Sequence, residues 1–242
     1  MRGAVAPAAV FYDHVMSPRR EPVSRRDRPA KPPLSRAALV GAALRIMRDE
    51  GLERVTMRRL AAELDTGPAA LYVYVRNAAE LHGALLDALL ADLPLPGPGT
   101  PSRWRDDLVE LLCAYTSLLI GHPSLARSVL LLRPYGPNFL RLFDTLLGLL
   151  RAGGVRPRPA AWGVDLLLQH ATATAAEQGT RSADAATEAA EEQALATAIA
   201  EADAAAYPQI AHARDELLSG PGEERLRWSL TAMIDGIAGS RA

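Results

Sequence analysis

The chain has 242 residues, 49% of them hydrophobic, with net charge -1 at pH 7 and mean hydropathy near zero, enough to bury a full core in one or two domains. No apolar run reaches the 18 or so residues that a membrane span requires, and the N-terminus carries no charged-then-apolar secretory pattern. The one cysteine, Cys113, excludes an internal disulfide, which suits a reducing cytoplasm.

Charge is unevenly spread. Residues 1–80 hold 14 Arg/Lys against 9 Asp/Glu, and the remainder 13 against 19. A basic front on an acidic body suits a protein that meets a polyanion at one end. Residues 1–33 are rich in proline and arginine and read as a disordered tail. Its run Arg19, Arg20, Arg25, Arg26, Arg28 and Lys31 either lies along phosphates or in a minor groove, or is a solvated tail without a role. Met16 is an alternative start to Met1.

Ser35 reads as the cap of a first helix, with Val40, Ala43, Leu44 and Met47 as its apolar stripe and Gly51 after its end. Thr56 caps a second, in which Leu60, Ala61 and Leu64 recur at helical spacing. Asp65, Thr66 and Gly67 interrupt it. Pro68 then opens a third short helix running to about Val75. Two short helices joined by a Gly-containing turn form a helix-turn-helix, whose second member enters the DNA major groove. At 100° per residue Leu71 and Val75 face inward, Ala69 and Val73 outward, and Ala70, Tyr72 and Tyr74 lie on the flanks. Outward methyl groups suit thymine methyls, and tyrosine hydroxyls suit phosphates. The bland alternative is a small hairpin buried in a larger helical domain. Asn77 caps the next helix, marked by Leu81, Leu85, Leu86 and Leu89, and the proline-rich segment after Asp92 divides residues 34–92 from a body of residues 93–242.

The body reads as helices throughout, making the chain all-α. Ser102–Ile120 places Trp104, Leu108, Leu111, Tyr115 and Leu118 on one face, and Cys113 packs nearby. Pro123–Leu132 follows. Asn138 caps Phe139–Arg151, with Leu142, Phe143, Leu146, Leu147 and Leu150 buried and Gly153-Gly154 stopping it. Pro159–Gln178 carries the stripe Ala160, Val164, Leu167, Ala171 and Ala175. Residues 181–206 form an alanine–glutamate tract with little to bury, either mobile helix or disorder. Glu223–Ala238 is the last helix, with Leu226, Leu230, Met233, Ile234 and Ile237 apolar.

Enzyme chemistry finds no foothold. Lys31, the one lysine, lies in the tail, which removes a phosphate loop ending in Gly-Lys-Ser/Thr and a Schiff-base lysine in a folded site. The histidines His14, His82, His122, His170 and His212 fall at no metal-ligand spacing. Gly97 and Gly99 do not extend into a dinucleotide fingerprint, and no Gly-x-Ser-x-Gly elbow occurs.

The stretch LAAELDTGPAALYVYVRNAAELHGALLDAL resembles the DNA-binding domain of the tetracycline-repressor (TetR/AcrR) family. Leu60, Ala61, Leu64, Leu71, Tyr72, Val75, Asn77, Leu81 and the run Leu85 to Leu89 carry the likeness, which extends back through Leu39 to Glu50. The resemblance implies DNA contacts at Arg58, Thr66, Pro68, Ala69, Ala70, Tyr72, Val73, Tyr74 and Ala78, with Arg58 forking onto a guanine and Tyr72 anchoring a phosphate. Pro68 and Ala69 bring no side-chain donor and Ala78 replaces a basic residue, so the operator should differ from those of the tetracycline repressors.

His122-Pro123, the Ala-Gly-Gly stop and the final helix resemble that family's regulatory domain. This implies a homodimer in which Gly163, Leu167, Ala171, Ala175, Leu230, Met233, Ile234 and Ile237 meet their copies, spacing two reading heads one DNA turn apart, about 34–36 Å. It also implies an apolar pocket for a small-molecule effector, first sought among Trp104, Tyr115, Phe139, Phe143, Trp162, His170 and Glu177, though each of these aromatics reads equally as core. Glu177 resembles an acid that tetracycline repressors place near drug-bound magnesium. The rest of that site is not recognisable here, so neither a metal, a tetracycline nor a cofactor is expected. The reading is a cytoplasmic homodimeric repressor on a palindromic duplex. A ligand-insensitive DNA binder, and an all-α enzyme or partner-binding protein, are the alternatives.

Overall fold

The computed structural model describes residues 34–182 and 185–240, so the basic run at Arg19 to Lys31 lies outside the described residues. Every regular element among them is helical: α1 (Arg36–Glu50), α2 (Met57–Glu63), α3 (Pro68–Leu71), α4 (Ala78–Leu89), α5 (Trp104–Ile120), α6 (Pro123–Val129), α7 (Pro137–Ala152), α8 (Pro157–Ser182), α9 (Ala185–Glu201), α10 (Pro208–Ala213) and α11 (Gly222–Gly239). Short 3-10 turns at Leu52–Arg54 and Leu90–Asp92 extend the chain after α1 and α4. One hydrophobic cluster runs from Leu39 in α1 to Ile237 in α11. No single helix among the described residues is long and apolar enough to cross a membrane. The α5–α6 pair, apolar enough when taken together, bends by 113° at its break.

The caps behave as polar residues at helix starts should. Ser35, Thr56 and Asn77 each turn a side-chain oxygen onto the backbone N–H three residues on, at 3.1, 3.1 and 2.9 Å, satisfying a donor that the helix cannot. The stripe of α1 is rotated from expectation. Leu39, Ala42, Ala43, Ile46 and Met47 are buried, while Val40 and Leu44 are half-buried, because α1 packs on both α2 and α4 and so buries a wider face than one stripe.

Asn138 does not cap α7. That helix starts one residue earlier, with Gly136 at the cap and Pro137 as its first residue. The Asn138 amide instead donates to the Asp87 carbonyl oxygen at 3.0 Å, and Asp87 Oδ1 accepts from the Phe139 N–H at 2.8 Å. A carboxylate on α4 thus serves as the acceptor at the N-terminus of α7, where charge and dipole agree. Gly136 is required by that contact, since a Cβ there would overlap the Asp87 carboxyl. Within α7 the buried residues are Leu142, Leu146, Leu149 and Leu150, with Phe143 and Leu147 only half covered.

α8 is longer than its apolar stripe suggests, and α5, α6, α7 and α11 all pack on it. The tract after it does form a helix, α9, none of whose residues is buried. Alanine propensity favours that helix, which also contacts α8. Cys113 is buried in α5, and burial pushes its thiol pKa up.

Candidate nucleic-acid interface

α2 and α3 are joined by a Schellman turn. The Thr66 N–H returns to the Ala61 carbonyl at 2.8 Å and the Asp65 N–H to Ala62 at 3.2 Å, so the last carbonyls of α2 are satisfied. The left-handed position, φ 48°, falls on Asp65, not on Gly67, which sits extended at φ -85° as the cap before Pro68. Aspartate is among the few side chains that accept this conformation.

The reading helix is shorter than its sequence implies. Regular geometry ends at Leu71, and residues 72–74 continue as a turn whose Tyr74 and Val75 N–H groups both return to the Leu71 carbonyl, at 2.9 and 3.2 Å. The facing survives this change. Leu71 and Val75 are buried at 0% and 1%, whereas Val73 is 81% exposed and Tyr72 52%. Pro68, Ala69 and Ala78 are exposed as well, and Thr66 and Ala70 half-buried. Tyr74 departs from the set: its ring is half-buried and its hydroxyl donates to the Leu34 carbonyl at 2.6 Å, tying the start of α1 to the end of the reading helix.

Two adjacent arginines on α2 have opposite circumstances. Arg59 bridges Glu50 at 2.7 Å and Glu63 at 2.9 Å, with Arg54 and Arg45 adding a second cation to each acid. Its guanidinium holds both carboxyls below the usual range. Arg58 is exposed and makes no hydrogen bond or ion pair with any described residue. Residues 34–80 carry seven arginines against six acids, so within this stretch uncommitted cations such as Arg58, more than a net field, are available to phosphate. Beside this surface Asn77 and Glu80 close the start of α4, Glu80 accepting from the Arg76 N–H at 2.9 Å, an arrangement of capping-box kind.

Polar contacts join this unit to the body. Ser124 at the start of α6 donates to Glu53, and Arg127 donates to both Ser124 (3.0 Å) and Thr180 of α8 (2.6 Å). His82 Nδ1 lies 2.6 Å from Ser128 Oγ, and desolvation lowers the His82 pKa. With the bond from the Phe139 N–H of α7 to Asp87 of α4, three links run from the front of the chain to α6 and α7.

The residues expected to line an effector pocket stand in different surroundings. Trp104 is buried against Gly153. The Tyr115 hydroxyl lies 2.9 Å from Thr172 Oγ1 in the core, where burial pushes its pKa up to about 12. Phe139 and Phe143 pair at 6.2 Å, and His170 Nε2 meets Ser229 Oγ at 2.8 Å. Trp162 is 63% exposed, and Glu177 is exposed and ion-paired with Arg181 at 2.7 Å. None of the seven lines the clefts of about 390 and 600 Å3 described at the α4–α7 junction and beside the C-terminal half of α7. No group of three His, Cys, Asp or Glu among the described residues is placed to hold a metal ion.

The stripe expected to meet a second copy is turned inward. Leu167, Ala171, Ala175, Leu230, Ile234 and Ile237 are buried within the single chain, where α8 packs on α11 and α5. A Cβ on Gly163 would come within 2.8 Å of Ile237, so that glycine serves a contact inside the protomer, and Met233 is half-buried. The opposite faces of α8 and α11 expose Trp162, Leu166 and Trp228, the last by 74%.

Two family models match. One, described as bacterial regulatory proteins of the tetR family, matches residues 39–85, and the other, a tetracyclin repressor-like C-terminal domain, matches residues 93–240. An HTH-type transcriptional regulator of Saccharopolyspora erythraea is 31% identical over 62% of this chain and 58% of its own length. The HTH-type transcriptional repressor DrrR1 of Streptomyces coeruleorubidus is 36% identical over 54% and 48%. The chain therefore spans about half the length of these curated relatives. Among solved structures, ActR of Streptomyces coelicolor without ligand is 32% identical, with a TM-score of 0.77, covering 88% of this chain and all of that one. ActR in complex with actinorhodin is 33% identical at a TM-score of 0.75, covering 86% of this chain and all of that one.

Proposed function

Since the chain belongs to the tetracycline-repressor family of bacterial regulatory proteins, we propose that it is a homodimeric repressor that leaves its operator when a small molecule binds. One observation carries the DNA half of this reading. Arg58, Ala69, Tyr72 and Val73 stand exposed on a helix-turn-helix whose inward residues are fully packed. In the proposed complex Arg58 reads a guanine through O6 and N7, the methyls of Ala69 and Val73 meet thymine methyls, and the Tyr72 hydroxyl holds a phosphate. Thr66, Pro68, Ala70 and Ala78 line the approach. Tyr74 acts from behind, by fixing the reading turn to α1. With so few side-chain donors facing the bases, the deformability of the operator adds to its selection.

The proposed dimer uses the outer faces of α8 and α11. Trp162, Leu166 and Trp228 are large and apolar, and exposed Ala161, Ala232 and Gly236 beside them let two helix pairs approach. An isologous contact of this kind gives the two-fold symmetry that a palindromic operator needs.

Release works by population shift. The effector binds better to a body whose heads are wrongly spaced, so effector and operator weaken each other by the same factor. The links Glu53–Ser124, His82–Ser128 and Asp87–Phe139 pass a change in the body to the reading heads. Family members are regulators, generally not enzymes, and the cytoplasm is where such a protein meets the chromosome. Titrating the purified chain on DNA upstream of its own coding region, with and without candidate effectors, tests the reading. Arg58→Ala should cost about 1–3 kcal/mol, concentrated at one base position. An equal loss on every sequence refutes its role as a reader, and a protein that no compound dislodges is a ligand-insensitive binder instead.

A further inference from the structure

Where α4 meets the α6–α7 loop, the chain forms a cleft of about 390 Å3, within the range of small-molecule sites. It shares no residue with the effector lining sought in the body core. Three guanidinium groups line it, those of Arg36, Arg76 and Arg133, against two carboxylates, Glu80 and Asp87. Both acids are already engaged. Glu80 pairs with Arg76 at 3.0 Å, and Asp87 accepts from the N-terminus of α7. Arg133 is exposed and has no hydrogen-bond or ion-pair partner among the described residues. The cleft therefore keeps a positive surplus. Its walls are also suited to a flat ring. Tyr135, in the lining, is 61% exposed, and α4 contributes Gly83 and Ala84 to the same lining, with open space where a Gly83 side chain would stand.

We propose that this cleft binds planar aromatic anions, the ring between Tyr135 and the Gly83–Ala84 strip and the carboxylate on Arg133 and Arg36. Guanidinium forks match a carboxylate in shape as well as charge. The occupant sits where α4 leaves the reading head, one side of the cleft being the Asp87–Gly136 contact that joins α4 to α7. Its regulatory consequence rests on the operator reading above, but its occupancy does not.

Calorimetric titration of the full chain with 2-naphthoate and with its neutral counterpart 2-naphthamide tests it, without DNA in the cell. Naphthoate should bind at least tenfold more tightly than the amide. The double variant Arg36→Gln/Arg133→Gln, both positions exposed, should lose at least tenfold for naphthoate and nothing for the amide. Tyr135→Ala should weaken both probes. Arg105→Gln, which removes an exposed arginine paired with Asp235 and away from the cleft, should change neither. Absence of naphthoate binding, equal affinity for the two probes, or undiminished naphthoate binding in the double variant overturns the proposal. Any of these leaves the operator reading intact, just as a failure on DNA leaves the probe affinities intact.

Discussion

Tyr74→Phe separates a structural tyrosine from a DNA-contacting one. The change removes one hydroxyl and keeps the half-buried ring. The lost bond, Tyr74 Oη to the Leu34 carbonyl at 2.6 Å, is at the short end for O–H···O geometry. A neutral bond of this kind contributes about 0.5–1.5 kcal/mol net. Leu34 is itself only half-buried, so water replaces part of the interaction and the expected cost is about 1 kcal/mol. That is about a fivefold change in the unfolding equilibrium, and in a chain of this size a fall in Tm of about 2–4 °C. Urea denaturation supplies the first measurement and fluorescence anisotropy on an operator duplex the second. Operator affinity below the transition should stay within about twofold of the parent. The salt slope should not move, because a neutral hydroxyl releases no counterion. Tyr72→Phe should show the reverse, an unchanged Tm and weaker binding on every sequence. If Tyr74→Phe leaves stability intact and weakens DNA binding as Tyr72→Phe does, the assignment of its hydroxyl to Leu34 is wrong.

Other expectations follow from the same geometry. Arg59→Ala should lower Tm while preserving the ranking of operator sequences, since Arg59 is committed to Glu50 and Glu63; a changed ranking in anisotropy titrations would make it a reader. Trp228→Asp, at a position 74% exposed, should leave a folded monomer in sedimentation, and a dimer of parental affinity would place the interface elsewhere. His82 has its folded pKa lowered by desolvation, so the unfolded chain binds the extra proton. Its stabilising contribution is complete above its ordinary pKa of 6.5 and is lost as pH falls through the lower folded value. His82→Gln should therefore flatten the fall in stability below pH 6.5, and an unchanged profile would show that His82 does not contribute to it.

Local chemistry made the front of the chain legible. Ser35, Thr56 and Asn77 stand where caps are needed, and a four-residue interval between Leu71 and Val75 fixes what faces in and what faces out whether the segment is a full helix or a helix followed by a turn. Other features depend on partners distant in sequence. Asn138 looks like a cap until Asp87, 51 residues earlier, takes the acceptor role. Asp65 and Gly67 both tolerate a left-handed residue, and only the closing bonds decide between them. Periodicity on α8 identifies a buried face, but Ala171 and Ala175 would repeat identically whether their cover came from α5 and α11 or from a second copy. One aromatic misled for a related reason. Trp162 reads as pocket lining or core and stands outside the core, which exposure shows and spacing does not.

Val73→Glu tests the central claim most directly. The side chain is 81% exposed, so fold and self-association should match the parent, while a carboxylate is placed inside the groove, against base edges flanked by the two phosphate rows. At low salt, across duplexes from the chain's own upstream region, the account predicts tight, sequence-dependent binding by the parent and none by Val73→Glu. Equal binding by both proteins would contradict it.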